Sequence, residues 1–169
     1  MSQGNGYVLG ARSKQRLLSC HPDLVEVVDL AIQLTTTDFT VLETTRSPSH
    51  QQLRVSQGKS KTLNSRHLPK IPKANPTLGA VAHAVDLGAW VNGTVAWDWM
   101  HYFVIADAIK TAAEFLKVPI RWGGCWDYLD HYDNAEQAYH AYLRRKQKAG
   151  ETPFTDGPHF ELCWKAYPV

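Results

Sequence analysis

The chain has 169 residues, the size of a single domain that buries about two thirds of its unfolded surface. Its 18 Lys and Arg against 16 Asp and Glu give a net charge of +2, which is too weakly basic for a nucleic-acid-binding protein. No uncharged apolar stretch approaches the length of a membrane-spanning helix, and residues 1–7 lack the charged and apolar regions of a signal peptide. We therefore expect a monomer made in the cytoplasm, with no nucleic-acid partner and no stable membrane association.

The three cysteines give no sign of a disulfide framework. Cys20, Cys125 and Cys163 have no Cys-x-x-Cys spacing, so a thiolate metal cluster is not indicated either. We expect reduced thiols that are partly buried.

The first half of the chain predicts a helix, a strand, a second helix and a loop. Apolar residues at helical spacing predict a helix from Pro22 to Leu34. Residues 39–46 alternate in a β-rich composition and predict a strand, and residues 51–58 predict a short helix that ends at Gly58. Residues 68–79 contain three prolines, which exclude a regular helix and indicate an exposed loop.

The second half mixes strands with two longer helices. Strands are predicted over residues 82–87 and 94–97, with Asn92-Gly93 as the hairpin turn between them. A long helix is predicted over residues 100–116, a strand over 120–122 that runs into a glycine turn, a polar helix over 134–148 and a final strand over 159–164. This mixed order indicates an α+β fold.

Two imidazoles and one carboxylate are the strongest candidates for a metal site. His67 lies in a polar segment, and His159 follows Pro158, whose fixed φ limits the movement of its loop. Asp86 interrupts an apolar run, where a buried carboxylate is costly without a cation or hydrogen bonds. Two His and one Asp suit an open zinc site, in which the fourth position is left for water.

Two further carboxylates and a third histidine leave alternatives open. Asp156 lies three residues before His159 and Glu161 two residues after it, so each is a candidate general base. On a strand, Glu161 would share a face with His159 and could support that ring instead. His83 is an alternative ligand to His67; otherwise we expect it at a loop edge, within reach of substrate.

These segments carry a resemblance to a known family. Ser65-Arg66-His67 with Ala84-Val85-Asp86-Leu87 resembles the Ser-x-His and Asp motif of the M15 peptidases, which include D-Ala-D-Ala carboxypeptidases and L-alanyl-D-glutamate endopeptidases. Residues 156–161 resemble the base-and-ligand motif of that family. The similarity covers about residues 12–162 of a catalytic core expected at about residues 12–164, and the blocks at residues 43–48, 97–99 and 120–124 are most similar to phage endolysins.

The chain departs from the family pattern in one place. The His and Asp of the first motif are commonly about seven residues apart, whereas here the separation is 86 − 67 = 19 residues. An inserted loop at residues 68–79 accounts for the difference, and such an insertion costs little because loop-closure entropy grows only logarithmically with length.

The resemblance implies a fold and a set of site residues. We expect one domain over residues 1–169 with a small antiparallel sheet flanked by helices, as in the Hedgehog and D-Ala-D-Ala-peptidase fold. One Zn²⁺ per chain would be held by His67, Asp86 and His159, with Asp156 as the general base. Four residues are expected to contact substrate or to support those contacts: Arg46, which would hold a substrate carboxylate, Gln52, Ser65, which could instead orient His67, and Trp122.

The function implied is hydrolysis of the L-alanyl-D-glutamate bond in bacterial peptidoglycan. A phage endolysin of this kind is made without a signal peptide and acts on the cell wall of the host after release. Two alternatives remain open at this stage, namely a D-Ala-D-Ala carboxypeptidase and a non-catalytic module that contains the metal and binds peptidoglycan.

Overall fold

The computed structural model describes residues 6–169. The prediction that the N-terminus lacks a signal peptide concerns residues 1–7, of which residues 1–5 lie outside the described part. Within the described part, no helix is both long enough and apolar enough to cross a membrane.

Helices and strands alternate along the described chain. The helices are α1 Ala11–Leu17, α2 Pro22–Leu34, α3 Pro48–Ser56, α4 Trp99–Leu116 and α5 Ala135–Ala149. The strands are β1 Phe39–Glu43, β2 Ala84–Val91, β3 Thr94–Ala96, β4 Ile120–Trp122, β5 Asp127–Tyr128 and β6 His159–Leu162. The α+β prediction is confirmed.

Local capping explains where three helices begin. Ser47 accepts a hydrogen bond from the His50 N–H, and Pro48 occupies the first turn of α3, so this helix starts three residues before the predicted position. Asn134 caps α5 in the same way. His21 caps α2 through its Nδ1, which accepts from the Asp23 N–H.

All strand pairs in the sheet are antiparallel, in the order β1-β2-β6-β4-β5, and β3 pairs with the far end of β2. The predicted turn at Asn92-Gly93 joins β2 to β3, and both residues have positive φ, at 51° and 76°. The first and last strands end earlier than predicted, at Glu43 and Leu162.

The two faces of the sheet differ in chemistry because side chains alternate along each strand. One face packs against α2 and α4 with fully buried side chains such as Val85, Leu87, Trp122 and Phe160. The opposite face carries polar side chains in register. Glu43 of β1, Asp86 of β2 and His159 of β6 form one row, and Arg121 of β4 is paired with Glu161 of β6 in the next.

The proline-containing segment at residues 68–79 forms a surface loop whose ends are held together. Lys70 and Val81 form an antiparallel bridge, and a 3₁₀ turn spans Pro76–Leu78. Residues 73–77 are exposed, while Pro72 is buried and the Lys73 N–H donates to the Pro168 carbonyl. The three cysteines are free, and all are buried.

Candidate metal centre

Three side chains bring one ligand atom each to a common point. The Nε2 of His67 lies 3.0 Å from Asp86 Oδ1 and 3.2 Å from His159 Nδ1, and the latter lies 3.1 Å from the same Asp86 oxygen. A tetrahedral ion with bonds of about 2.0–2.1 Å separates its ligand atoms by about 3.3 Å. The geometry of His67, Asp86 and His159, called here the triad, therefore fits a small metal ion.

The orientation of His67 is fixed by a backbone carbonyl. Its Nδ1 lies 2.6 Å from the Thr44 carbonyl oxygen, which can only accept a hydrogen bond. The proton is therefore on Nδ1, and the Nε2 lone pair faces the other two ligands. The Ser65 hydroxyl accepts a hydrogen bond from the His67 N–H at 3.2 Å, so Ser65 helps to position this histidine.

His159 is oriented by Glu161. The His159 Nε2 lies 2.8 Å from Glu161 Oε2, which leaves Nδ1 facing the triad. Arg121 and the indole of Trp164 donate to the other oxygen of Glu161, at 3.0 and 3.1 Å. Burial alone would raise the pKa of Glu161, but His159 and Arg121 lower it to about 2. Both oxygens of Glu161 are thus hydrogen-bonded, and the carboxylate orients the His159 ring.

The electrostatics of the triad favour a cation. When only their outer nitrogens are protonated, as metal binding requires, the two imidazoles direct lone pairs at each other and at the Asp86 carboxylate. Burial opposes ionisation of Asp86, yet the two histidines hold the pKa of this carboxyl well below its usual range. Burial would lower the pKa of His159, but Asp86 and Glu161 raise it to about 10, so this ring holds a second proton on Nδ1 that a metal ion would displace. These carboxylates make the point between the ligand atoms strongly attractive to positive charge.

Asp156 enters the same groove from the loop before β6. Its N–H donates to the Gly123 carbonyl at 2.9 Å, and the Gly123 N–H donates to the His159 carbonyl at 2.8 Å. A Cβ atom on Gly123 would lie 2.4 Å from the Asp156 carbonyl oxygen, so only glycine allows this close approach. Burial and the nearby charge of Asp86 raise the pKa of Asp156.

Arg46 lies beside the triad and lines the groove, but most of its hydrogen bonds are already made to the protein. Its Nε and Nη2 donate to the two oxygens of Glu43 at 2.9 and 2.6 Å, and Nη1 donates to Gln51 Oε1 at 2.6 Å. The side chain is only 6% exposed, and Nη2 lies 3.7 Å from Asp86 Oδ2. Its main contacts are therefore with the protein.

The glutamine that supports Arg46 is Gln51 rather than Gln52. Because α3 begins at Pro48, Gln51 faces the protein interior, where it is 1% exposed and also donates to the Thr62 carbonyl at 2.6 Å. Gln52 is exposed on the other side of the helix.

The tryptophan at the groove is Trp126 rather than Trp122. Trp122 is fully buried on the core face, and its indole N–H donates to the Gly157 carbonyl at 2.8 Å. The Trp126 ring lies 5.4 Å from the His159 ring and lines the groove. The sequence contains a signal for this position. Neighbouring side chains on a strand face opposite sides of the sheet, so Trp122 faces the core when the polar Arg121 faces the groove.

His83 lies outside the triad. It is fully buried, not at a loop edge as expected, and its ring packs 5.4 Å from that of His21. Its Nδ1 lies 3.1 Å from the Val81 carbonyl. Burial lowers the pKa of His83 to about 4, with smaller effects from Arg66 and His21, so the ring is neutral at ordinary pH.

The triad opens into a groove with a volume of about 930 Å³. Its lining includes Asp156, Ser65, Trp97 and Trp126, together with several basic side chains. Sequence reasoning had not singled out Glu43, Gln51 or Trp126 for this site, and it gave no role to the groove residues Lys61 and Phe154.

Comparison with known proteins identifies the family. Residues 5–163 match the family described as phage L-alanyl-D-glutamate peptidase. The chain belongs to this family. An L-alanyl-D-glutamate peptidase of Escherichia phage T5 is 25% identical over 157 residues, which cover 92% of this chain and 98% of the relative. The Serratia marcescens L-Ala D-Glu endopeptidase ChiX is 33% identical in sequence to this chain, and its crystal structure matches with a TM-score of 0.70. The match covers 97% of this chain and 96% of that one.

These matches confirm the resemblance seen in the motifs and place the chain among peptidases. Both relatives align over nearly their whole length, so the correspondence extends to the complete fold as well as to the ligand segments. The His-Asp-His geometry is consistent with a metallopeptidase.

The role of Glu161 generates a first prediction. Glu161→Gln keeps a hydrogen-bond acceptor for His159 but removes the negative charge, so metal affinity should fall about 10–100-fold while the fold is retained. Competition with a chromophoric chelator measures the affinity, and Glu136→Gln on the exposed face of α5 is the matched control. Unchanged affinity in Glu161→Gln would show that this carboxylate does not support the ligand.

Proposed function

We propose that this protein is a zinc endopeptidase that cleaves the L-alanyl-D-glutamate bond of peptidoglycan stem peptides and acts as a phage endolysin in host lysis. The observation that carries the proposal is the convergence of His67 Nε2, Asp86 Oδ1 and His159 Nδ1 at one end of a groove that also contains Asp156. Family membership supplies the class of substrate.

The donor set suits zinc better than a hard cation. Two imidazoles and one carboxylate are typical of catalytic zinc sites, whereas Mg²⁺ and Ca²⁺ prefer oxygen ligands. A bound zinc ion would lower the pKa of a water molecule to about 7 and polarise the scissile carbonyl. The protein contributes the orientation of the ligands through the Thr44 carbonyl and Glu161.

Asp156 is the proposed general base. It would take a proton from the attacking water and deliver it to the nitrogen of D-Glu as the bond breaks. Its raised pKa suits this task, because a base is most effective when its pKa is close to the working pH. Glu161 is a poor candidate because both of its oxygens are already hydrogen-bonded.

Other groove residues would position the substrate. Ser65 has a hydroxyl proton to donate to the peptide while its oxygen holds the His67 N–H. Arg46 balances the charge of Glu43 and Asp86 next to the triad. The protein would act as a monomer. Its macromolecular partner would be peptidoglycan, with no nucleic acid and no stable membrane association.

The products of digestion test the reaction. Digested Gram-negative peptidoglycan should yield glycan chains whose muramyl peptides end in L-Ala, together with free peptides that begin with D-Glu, as identified by mass spectrometry. Release of D-Ala alone, with the rest of the stem intact, would identify a carboxypeptidase. No cleavage of any kind by the zinc-loaded protein would indicate a binding module without catalytic activity.

The assignment of the base generates a separate prediction. Asp156→Asn should retain zinc and thermal stability but lose about 10²–10⁴-fold in kcat, the usual contribution of a general base. Metal content is measured by elemental analysis, and kcat with a synthetic muramyl peptide. At saturating zinc, Glu161→Gln should retain more activity than Asp156→Asn. The opposite ranking would transfer the role of base to Glu161.

A further inference from the structure

The basic side chains that line the groove are not equivalent. Four of the six Lys and Arg residues already face a carboxylate: Arg46 and Arg54 face Glu43, Arg121 faces Glu161, and Lys146 faces Glu151. Among residues 6–169, Lys59 and Lys61 have no carboxylate within ion-pair distance. The groove therefore carries uncompensated positive charge at one place, on the loop that follows α3.

Lys61 lies at the end of a row of aromatic rings that leads to the triad. Its ammonium group is 5.4 Å from the centroid of the Phe154 ring. Phe154 stacks on Trp126, with centroids 6.1 Å apart, and Trp126 packs against His159 at 5.4 Å. A contact with the face of a ring leaves the N–H groups of an ammonium free to bind an anion.

Hydrogen bonds hold Phe154 and the residue that follows Lys61 in place. The Phe154 backbone is bonded to Tyr142 through its N–H and its carbonyl, each at 3.0 Å, and its carbonyl also accepts from the Trp126 indole at 2.7 Å. On the other side, the Gln51 amide donates to the Thr62 carbonyl, next to Lys61 in the chain. Since the surroundings of Lys61 are ordered in advance, binding an anion there costs less conformational entropy.

The proposed substrate presents free carboxylates on the half that leaves. The scissile nitrogen belongs to D-Glu, and the stem peptide continues through the side-chain carboxyl of that residue. Its α-carboxylate is therefore free and lies one carbon from the scissile nitrogen. The diamino acid that follows in Gram-negative stems carries a second free carboxylate. A groove that accepts this peptide needs a cation that the protein has not already paired.

We propose that Lys61 binds a free carboxylate on the D-Glu side of the scissile bond and so determines the specificity of the enzyme for this peptide. The inference rests on the proposed function and assigns the recognition of the substrate carboxylate to Lys61 instead of Arg46. Lys59, two residues away on the same loop, adds to the positive potential that attracts the peptide.

The kinetic test uses a synthetic muramyl stem peptide with an amidated C-terminus and three variants. Lys61→Gln should raise KM about tenfold, the scale of one charge-assisted hydrogen bond, and leave kcat within about twofold, because the contact is made equally before and during the reaction. Lys61→Arg should keep KM close to that of the parent protein. Lys73→Gln, on the exposed loop outside the groove, is the matched control and should change neither constant.

Modified peptides identify which carboxylate is bound. One peptide has the α-carboxylate of D-Glu amidated, and a second has lysine in place of the diamino acid, which removes the other carboxylate. Removing the carboxylate that Lys61 contacts should raise the KM of the parent protein to the value of Lys61→Gln. The same modification should leave the KM of Lys61→Gln unchanged. Either assignment supports the proposal.

Two kinetic results would overturn it. The first is an unchanged KM for Lys61→Gln with a peptide that the parent protein cleaves. The second is an equal loss on a peptide that lacks both carboxylates, which would show that Lys61 acts on the fold of the loop instead.

Calorimetric binding of the intact peptide to zinc-loaded Asp156→Asn, with and without Lys61→Gln, separates this inference from the proposed reaction. If the parent protein cleaves nothing but binding still requires Lys61, the reaction is wrong and the carboxylate site stands; binding indifferent to Lys61 contradicts the site.

Discussion

The register of the central strands is the constraint on which the site depends. Asp86 on β2 is paired with Glu43 of β1 on one side and with His159 of β6 on the other, so three polar side chains lie in one row across the sheet. A slip of one residue would turn each of them towards the hydrophobic core. The core side chains on the opposite face, such as Val85 and Phe160, therefore fix the positions of Asp86 and His159 in the triad as well as the fold.

Charge pairing on the polar face is the reason that we propose one cation site and one separate anion site in the groove. Arg46 is occupied by Glu43, and Arg121 is occupied by Glu161. Asp86 Oδ1 instead lies 3.0 Å from His67 Nε2 and 3.1 Å from His159 Nδ1, so its negative charge is at the point between the imidazoles. Because the nearby arginines balance the protein's own carboxylates, an anionic substrate has to find its cation elsewhere in the groove, which is where Lys61 lies.

Much of the site could be predicted because its signals are local. The sequence around each ligand candidate is informative: His67 lies in a polar segment, Asp86 interrupts an apolar run and His159 follows a proline. The family motifs contain the same three residues. The errors concern residues whose roles depend on tertiary partners. The pairing of Arg46 with Glu43 also depends on the fold and cannot be read from sequence alone. Gln52 was the wrong choice because the glutamine that faces inward depends on where α3 begins. Helix boundaries are the least certain part of a prediction from sequence.

The most direct test of the account is a crystal structure of the zinc-loaded protein with anomalous data collected on both sides of the zinc absorption edge. The account predicts one anomalous peak per chain, bound by Nε2 of His67, Oδ1 of Asp86 and Nδ1 of His159, with Zn–N distances of about 2.0–2.1 Å. A peak bound by His83, or by Nε2 of His159 in place of Nδ1, would contradict the ligand orientation on which the proposed chemistry depends.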